Sequence, residues 1–182
     1  MPAMPRFLTV FVLLLALAFG LELTPWAQAF VVTPWTDTVA RVSGALMRTF
    51  DASITTSGNV IGSNASPFAV AIEAGCNGVE ATLVLVAAML AFPAPWPHRL
   101  AGIGVGVATV QVLNVIRVVT LFYLGQWNEH AFEWAHLYVW QALIMLDVLV
   151  VWLTWVRMLP RDPGAGSGPR GPAGGRPAPV SA

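Results

Sequence analysis

The chain has 182 residues, 57% of them hydrophobic and 10% charged, with a formal net charge of zero. So few charges exclude an ordinary soluble domain, which carries about 25%, and the absence of an aromatic-interleaved basic patch excludes nucleic-acid binding. One cysteine, Cys76, excludes an internal disulfide, and no Cys or His pairs at zinc-ligand spacing suggest a structural metal.

Such a chain belongs in a bilayer, where a crossing helix needs roughly 17 to 25 apolar residues. Apolar runs of that kind predict spans at about 7–23, 76–92, 100–124 and 136–156. The expected fold is therefore all-α: a compact bundle of about four transmembrane helices, capped outside the cytoplasm by the segment 24–75. Arg6, the apolar run behind it and Ala27-Gln28-Ala29 also fit a cleavable signal peptide, whose removal would leave the direction of the other spans unchanged.

Within 24–75, Val39, Val42, Leu46 and Phe50 recur at helical intervals, which predicts an amphipathic helix lying on the outer membrane surface. The following "DASITTSGNVIGSNASPFAVAIEAG" has short β-prone pieces punctuated by Gly, Ser and Asn, and reads as a hairpin, an irregular cap or a linker. The second span holds Glu80 and is short, so it is expected to begin near Cys76.

Gly102, Gly104 and Gly106 open the third span as small packing positions. Deeper in it lies Arg117, a guanidinium that costs at least about 2.5 to 3.5 kcal/mol at mid-helix and therefore needs a partner or a purpose. Glu80 and Asp147 are the candidate ionic partners, and Asn114, one turn earlier, shares Arg117's face. Trp127, Trp134, Tyr138 and Trp140 mark an aromatic belt before the fourth span. Glu133 and His136 have the i, i+3 spacing of a di-iron half-site, but no second half-site exists, and His130 and Glu129 read as solvated loop residues. Residues 1–159 thus form the membrane domain, and the Pro/Gly-rich 160–182 a disordered cytoplasmic tail.

Basic residues are retained on the cytoplasmic side. Arg6, Arg99, Arg157, Arg161, Arg170 and Arg176 fall on one face of four alternating spans, and both termini are expected there. Cys76, Arg117 and His136 then approach one layer near the opposite face. A cation lowers a thiol pKa and burial raises it, so Arg117 or His136 could activate Cys76. Histidine within reach can exchange protons with a leaving amine and an incoming nucleophile, while Arg117 could stabilise an oxyanion or fix the substrate. Two other readings use the same residues: a non-enzymatic membrane scaffold with a passive Cys76, and a small transporter or channel subunit with Arg117 facing an anion.

The residues Cys76-Asn77-Gly78, Asn114-Val115-Ile116-Arg117 and His136 in "EWAHLYVWQ" resemble the motifs of the exosortase and archaeosortase family, and "EAGCNGVEA" looks most like exosortase H. The resemblance covers about 73–155; family members commonly have more spans. It implies a membrane cysteine endopeptidase and transpeptidase, with Cys76 as nucleophile, His136 as acid/base, Arg117 as transition-state or thiolate stabiliser, and Asn114 and Asn77 in support. Implied substrates are exported proteins bearing a C-terminal sorting signal, processed in the bacterial inner membrane at a site facing the periplasm. No cofactor or metal is implied.

Overall fold

The computed structural model describes residues 3–159. The proposed tail, with Arg161, Arg170 and Arg176, lies outside the described residues.

The uninterrupted Leu/Ala/Phe run folds as α1 (Ala3–Glu22). It ends where Pro25 begins a new helix, α2 (Pro25–Ala27), whose first turn is capped by Thr24 Oγ1 accepting from the Ala27 amide at 3.2 Å. A π-helical turn, Gln28–Val32, leads into α3 (Thr33–Arg48). Three strands follow, β1 (Ile54–Ser57), β2 (Val60–Ser63) and β3 (Ser66–Ala71), as an antiparallel sheet in the order β1-β2-β3. The chain is therefore mostly helical but not all-α: short β-branched stretches separated by turns close into a meander that the cap of an all-α bundle would not contain.

Beyond the sheet come α4 (Val79–Ala91), α5 (Trp96–Trp127), α6 (Glu129–Trp134), a second π-helical turn (Ala135–Val139) and α7 (Trp140–Met158). Three helical stretches are long and apolar enough to cross a membrane: α1, α5 and the continuous 129–158. The fourth expected span is shorter. α4 starts at Val79 rather than Cys76, because Gly75 and Gly78 have φ of 82° and 75° and no α-helix runs through such residues. At 1.5 Å per residue, α4 covers about 20 Å.

Two apolar cores stack along α5. The first joins Val39, Ala40 and Met47 of α3 with Ile54, Ile61 and Ile72 of the sheet region and Val118 and Phe122 of α5. The second joins Ala81, Leu85 and Met89 of α4 with Val110 of α5 and Val148 and Trp155 of α7. α3 accordingly buries Thr36, Val39, Ala40, Ser43, Gly44 and Met47. The stripe expected to hold it to the surface divides: Val39 is buried inward, while Val42, Leu46 and Phe50 are 51%, 46% and 63% exposed on the other side. Only two of the three glycines at the start of the third span make close packing. A Cβ at Gly102 would strike Trp155 and one at Gly106 would strike Leu85, whereas Gly104 faces open space.

One end of the bundle is fixed by aromatic contacts. Phe7 of α1 meets Phe92 and Trp152 at 6.1 Å each, and Trp155 Nε1 donates to the His98 carbonyl at 3.0 Å. Arg6, Arg99 and Arg157 are neighbours of these residues in sequence and so share that end. The sheet and the turn 73–78 occupy the other.

Candidate active site

Between the two cores α5 carries its polar residues. Asn114 is fully buried and Arg117 is 2% exposed, flanked by Val110 of one core and Val118 of the other. A buried guanidinium requires acceptors, and the turn ahead of α4 supplies them. Arg117 Nη1 donates to the Gly75 carbonyl at 3.1 Å and Nη2 reaches Cys76 Sγ at 3.5 Å. On the other side of the same residue, the Gly75 amide donates to Glu80 Oε1 at 2.5 Å. Arg117 and Glu80 thus grip Gly75 from its carbonyl and its amide. Among the described residues neither Glu80 nor Asp147 forms a hydrogen bond or ion pair with Arg117, so the ionic clamp considered from the sequence is replaced by a clamp on the backbone.

The turn is held from a second direction by Asn77, which is fully buried. Its Nδ2 donates to Thr36 Oγ1 at 3.0 Å, its Oδ1 accepts from the Val79 amide at 3.0 Å, and its carbonyl accepts from Trp35 Nε1 at 3.2 Å. Gly78 completes the packing: a Cβ there would lie 2.9 Å from Gln111 Nε2 and 3.2 Å from Asn114 Cγ. Gln111 Nε2 donates to the Gly78 carbonyl at 3.2 Å and Thr82 Oγ1 at 3.1 Å. Neither amide atom of the Asn114 side chain has a protein partner among the described residues. Asn114 therefore supports the turn by packing.

His136 arrives from the second π-helical turn, a local widening that recurs at functional sites. Its Nε2 lies 3.9 Å from Cys76 Sγ. Phe132, one turn earlier, stacks on the imidazole with ring centroids 5.6 Å apart and planes 5° apart, which fixes the ring's orientation. Glu133, the other half of the di-iron spacing, instead sits 3.9 Å from His130 on the surface, and no group of metal-ligating side chains exists among the described residues.

Cys76, Arg117 and His136, sixty residues apart at the extremes, thus line one cavity of about 130 Å3, together with Val70, Glu73 and Phe132 among others. Burial pushes the Cys76 thiol above its ordinary value; the Arg117 guanidinium opposes this, and the Glu80 and Glu73 carboxylates add to the rise. Burial outweighs the cation, so the resting sulfur is a thiol rather than a thiolate. A thiol in that state needs a base beside it, and the imidazole is the neighbour able to take its proton.

The family model described as Transmembrane exosortase (Exosortase_EpsH) matches residues 6–156. The chain belongs to the exosortase family. No curated protein and no solved structure matches it. The match takes in α1 and the cap as well as the motif-bearing helices, and so extends beyond the stretch on which the sequence resemblance stood. Sequence reasoning singled out neither Trp35 and Thr36, which hold Asn77, nor Gln111 and Phe132, which reach the turn and the imidazole of this candidate site. Gln111 was within reach of the argument used for Arg117, being a polar side chain in an apolar helix on the same face as Asn114. Phe132 carried no such signal, because an aromatic residue at a membrane boundary is ordinary.

Proposed function

We propose that this exosortase-family protein is a membrane cysteine endopeptidase and transpeptidase that cuts a C-terminal sorting signal from exported proteins. The observation that carries the reading is the meeting of Cys76 Sγ with His136 Nε2 at 3.9 Å and Arg117 Nη2 at 3.5 Å, on side chains from three separate elements.

Chemistry follows from those distances. His136 Nε2 accepts the thiol proton as the sulfur attacks the scissile carbonyl. The carbon–nitrogen bond then breaks, His136 returns the proton to the departing amine, and an acyl thioester remains on Cys76. An amine or hydroxyl acceptor, or water, attacks the thioester with its proton passing to His136, and the thiol is restored as leaving group. Arg117 holds the sulfur and the turn in the resting site and stabilises negative charge as it develops on sulfur or carbonyl oxygen. No cofactor takes part. Asn114 and Asn77 keep the turn in shape.

The arginine-bearing end faces the cytoplasm in this reading, α4 completes a fourth crossing, and the cavity opens toward the periplasm of a bacterial inner membrane. A Cys76→Ala strain is expected to insert the protein normally while precursors with a C-terminal motif, helix and basic end accumulate uncut. In the wild-type protein, acid-quenched with precursor while the acceptor is withheld, mass spectrometry should detect a thioester-linked adduct on Cys76, and His136→Ala should form neither adduct nor cut product. Processing that continues without Cys76 would end the enzyme reading and favour the scaffold.

A further inference from the structure

The cavity at Cys76 is lined by Val70, Ala71, Ile72 and Glu73 in succession. A cavity on one face of a strand touches alternate residues, because side chains point to opposite faces. Val70 and Ala71 end β3 and Ile72, still bonded to Asn59, continues its pairing, so three successive extended residues line the cavity, which therefore runs along the backbone edge rather than over one face. β3 is an edge strand, paired with β2 on one side only. The Ile72 amide donates to the Asn59 carbonyl at 2.9 Å, and the register pairs Ile61 with Val70 and Gly62 with Ala69. Since antiparallel residues alternate between facing the partner strand and facing away, Ile72 and Val70 bond toward β2, and Ala71 and Ala69 aim their amides and carbonyls outward. Both alanines are exposed.

We propose that the substrate segment next to the scissile bond binds as an added strand on β3, pairing its main chain with Ala69 and Ala71 and so bringing a carbonyl to Cys76. This rests on the sorting-cysteine reading above. The edge's outward donors and acceptors are matched by an extended peptide, the recognition mode in which backbone bonds give affinity and pockets give side-chain preference. The cavity, about 130 Å3, is smaller than a small-molecule site and would take only the residue at the scissile bond, while the rest of the segment lies along the exposed edge at Ala69 and Ala71. Phe132 and His136 line the same cavity. Continuity with the thiol at the end of the strand selects the protein's own substrate as the occupant.

The probe is the exported precursor that accumulates most in Cys76→Ala cells, used as a synthetic peptide spanning its cleavage site. A scan of single backbone N-methyl groups along this peptide, cut by the wild-type protein, should show losses of about tenfold at alternate positions, each blocking one hydrogen bond. In the protein, Ala71→Pro removes an outward donor at a place where an edge strand tolerates proline. It should raise KM about tenfold while maleimide still labels Cys76. Cys76-dependent cleavage with no alternation in the scan overturns the added strand and leaves the cysteine reading standing. Loss of Cys76 dependence for the unmodified precursor overturns both. If Ala71→Pro misfolds, seen as altered labelling of Cys76, the peptide scan decides alone.

Discussion

Cys76 lies between charges of opposite sign, and its titration should report each of them. Burial sets the thiol above its ordinary value, Arg117 holds the rise in check, and Glu80 and Glu73 reinforce it. Alkylation by a small haloacetamide, which follows the thiolate, should therefore have its pH midpoint above that of a free cysteine, about 8.5. Arg117→Gln removes the opposing cation and should move the midpoint further up; Glu73→Gln removes a carboxylate and should move it down. Equal midpoints in the two variants would show that these charges do not act on the sulfur. Gly78 tests the turn itself. With φ at 75° and Gln111 and Asn114 against its missing side chain, Gly78→Ala should cost about 1 to 2 kcal/mol for the left-handed backbone alone, read as a lower unfolding temperature in detergent.

At the scale of elements, Phe68 links the sheet both to α5 and to the residue that stacks on His136. Phe68 of β3 packs edge-on to Phe122 and Phe132, with ring centroids at 5.8 and 6.1 Å, and rests against Gly125, where a Cβ would collide with its ring. The same Phe132 stacks on His136. Phe68→Ala should accordingly do two things. Stability should fall by about 3 kcal/mol, the low end for Phe→Ala because Phe68 is only partly buried. Processing should fall beyond that loss, because the imidazole would lose the neighbour that orients it. Denaturant unfolding measures the first effect, and turnover by the fraction that remains folded measures the second. Unchanged turnover in that fraction would mean that Phe132 holds His136 without help from the sheet.

For the whole molecule, the decisive arrangement is two apolar cores with a polar layer between them. Arg117 and Asn114 sit in that layer, above the core of α4, α5 and α7 and below the core of α3, α5 and the sheet. The arginines at the opposite end predict the direction of insertion. Because Cys76 is the one native thiol, a membrane-impermeant maleimide should label it in intact spheroplasts. A cysteine placed at Ala94 in a Cys76→Ala background should be labelled only after the membrane is broken. The reverse pattern would invert the proposed topology.

The sequence alone determined that the protein lives in lipid, where its long apolar helices run and which polar residues needed an explanation. Those conclusions follow from composition and from the cost of placing a charge in hydrocarbon, quantities that are local and additive along the chain. It also determined the trio Cys76, Arg117 and His136 as candidates, through their order and the single layer to which the alternating spans bring them. Tertiary structure decided that the cap is a sheet, because strand pairing joins residues whose short polar and β-branched runs read equally well as hairpin or linker. It decided which face of α3 is buried, because both faces carry apolar side chains and only the partner selects one. It decided that Arg117 bonds the Gly75 carbonyl and the Cys76 sulfur rather than a carboxylate. A buried cation takes whichever acceptors the fold brings within reach, and those came from a turn forty-two residues away in the chain.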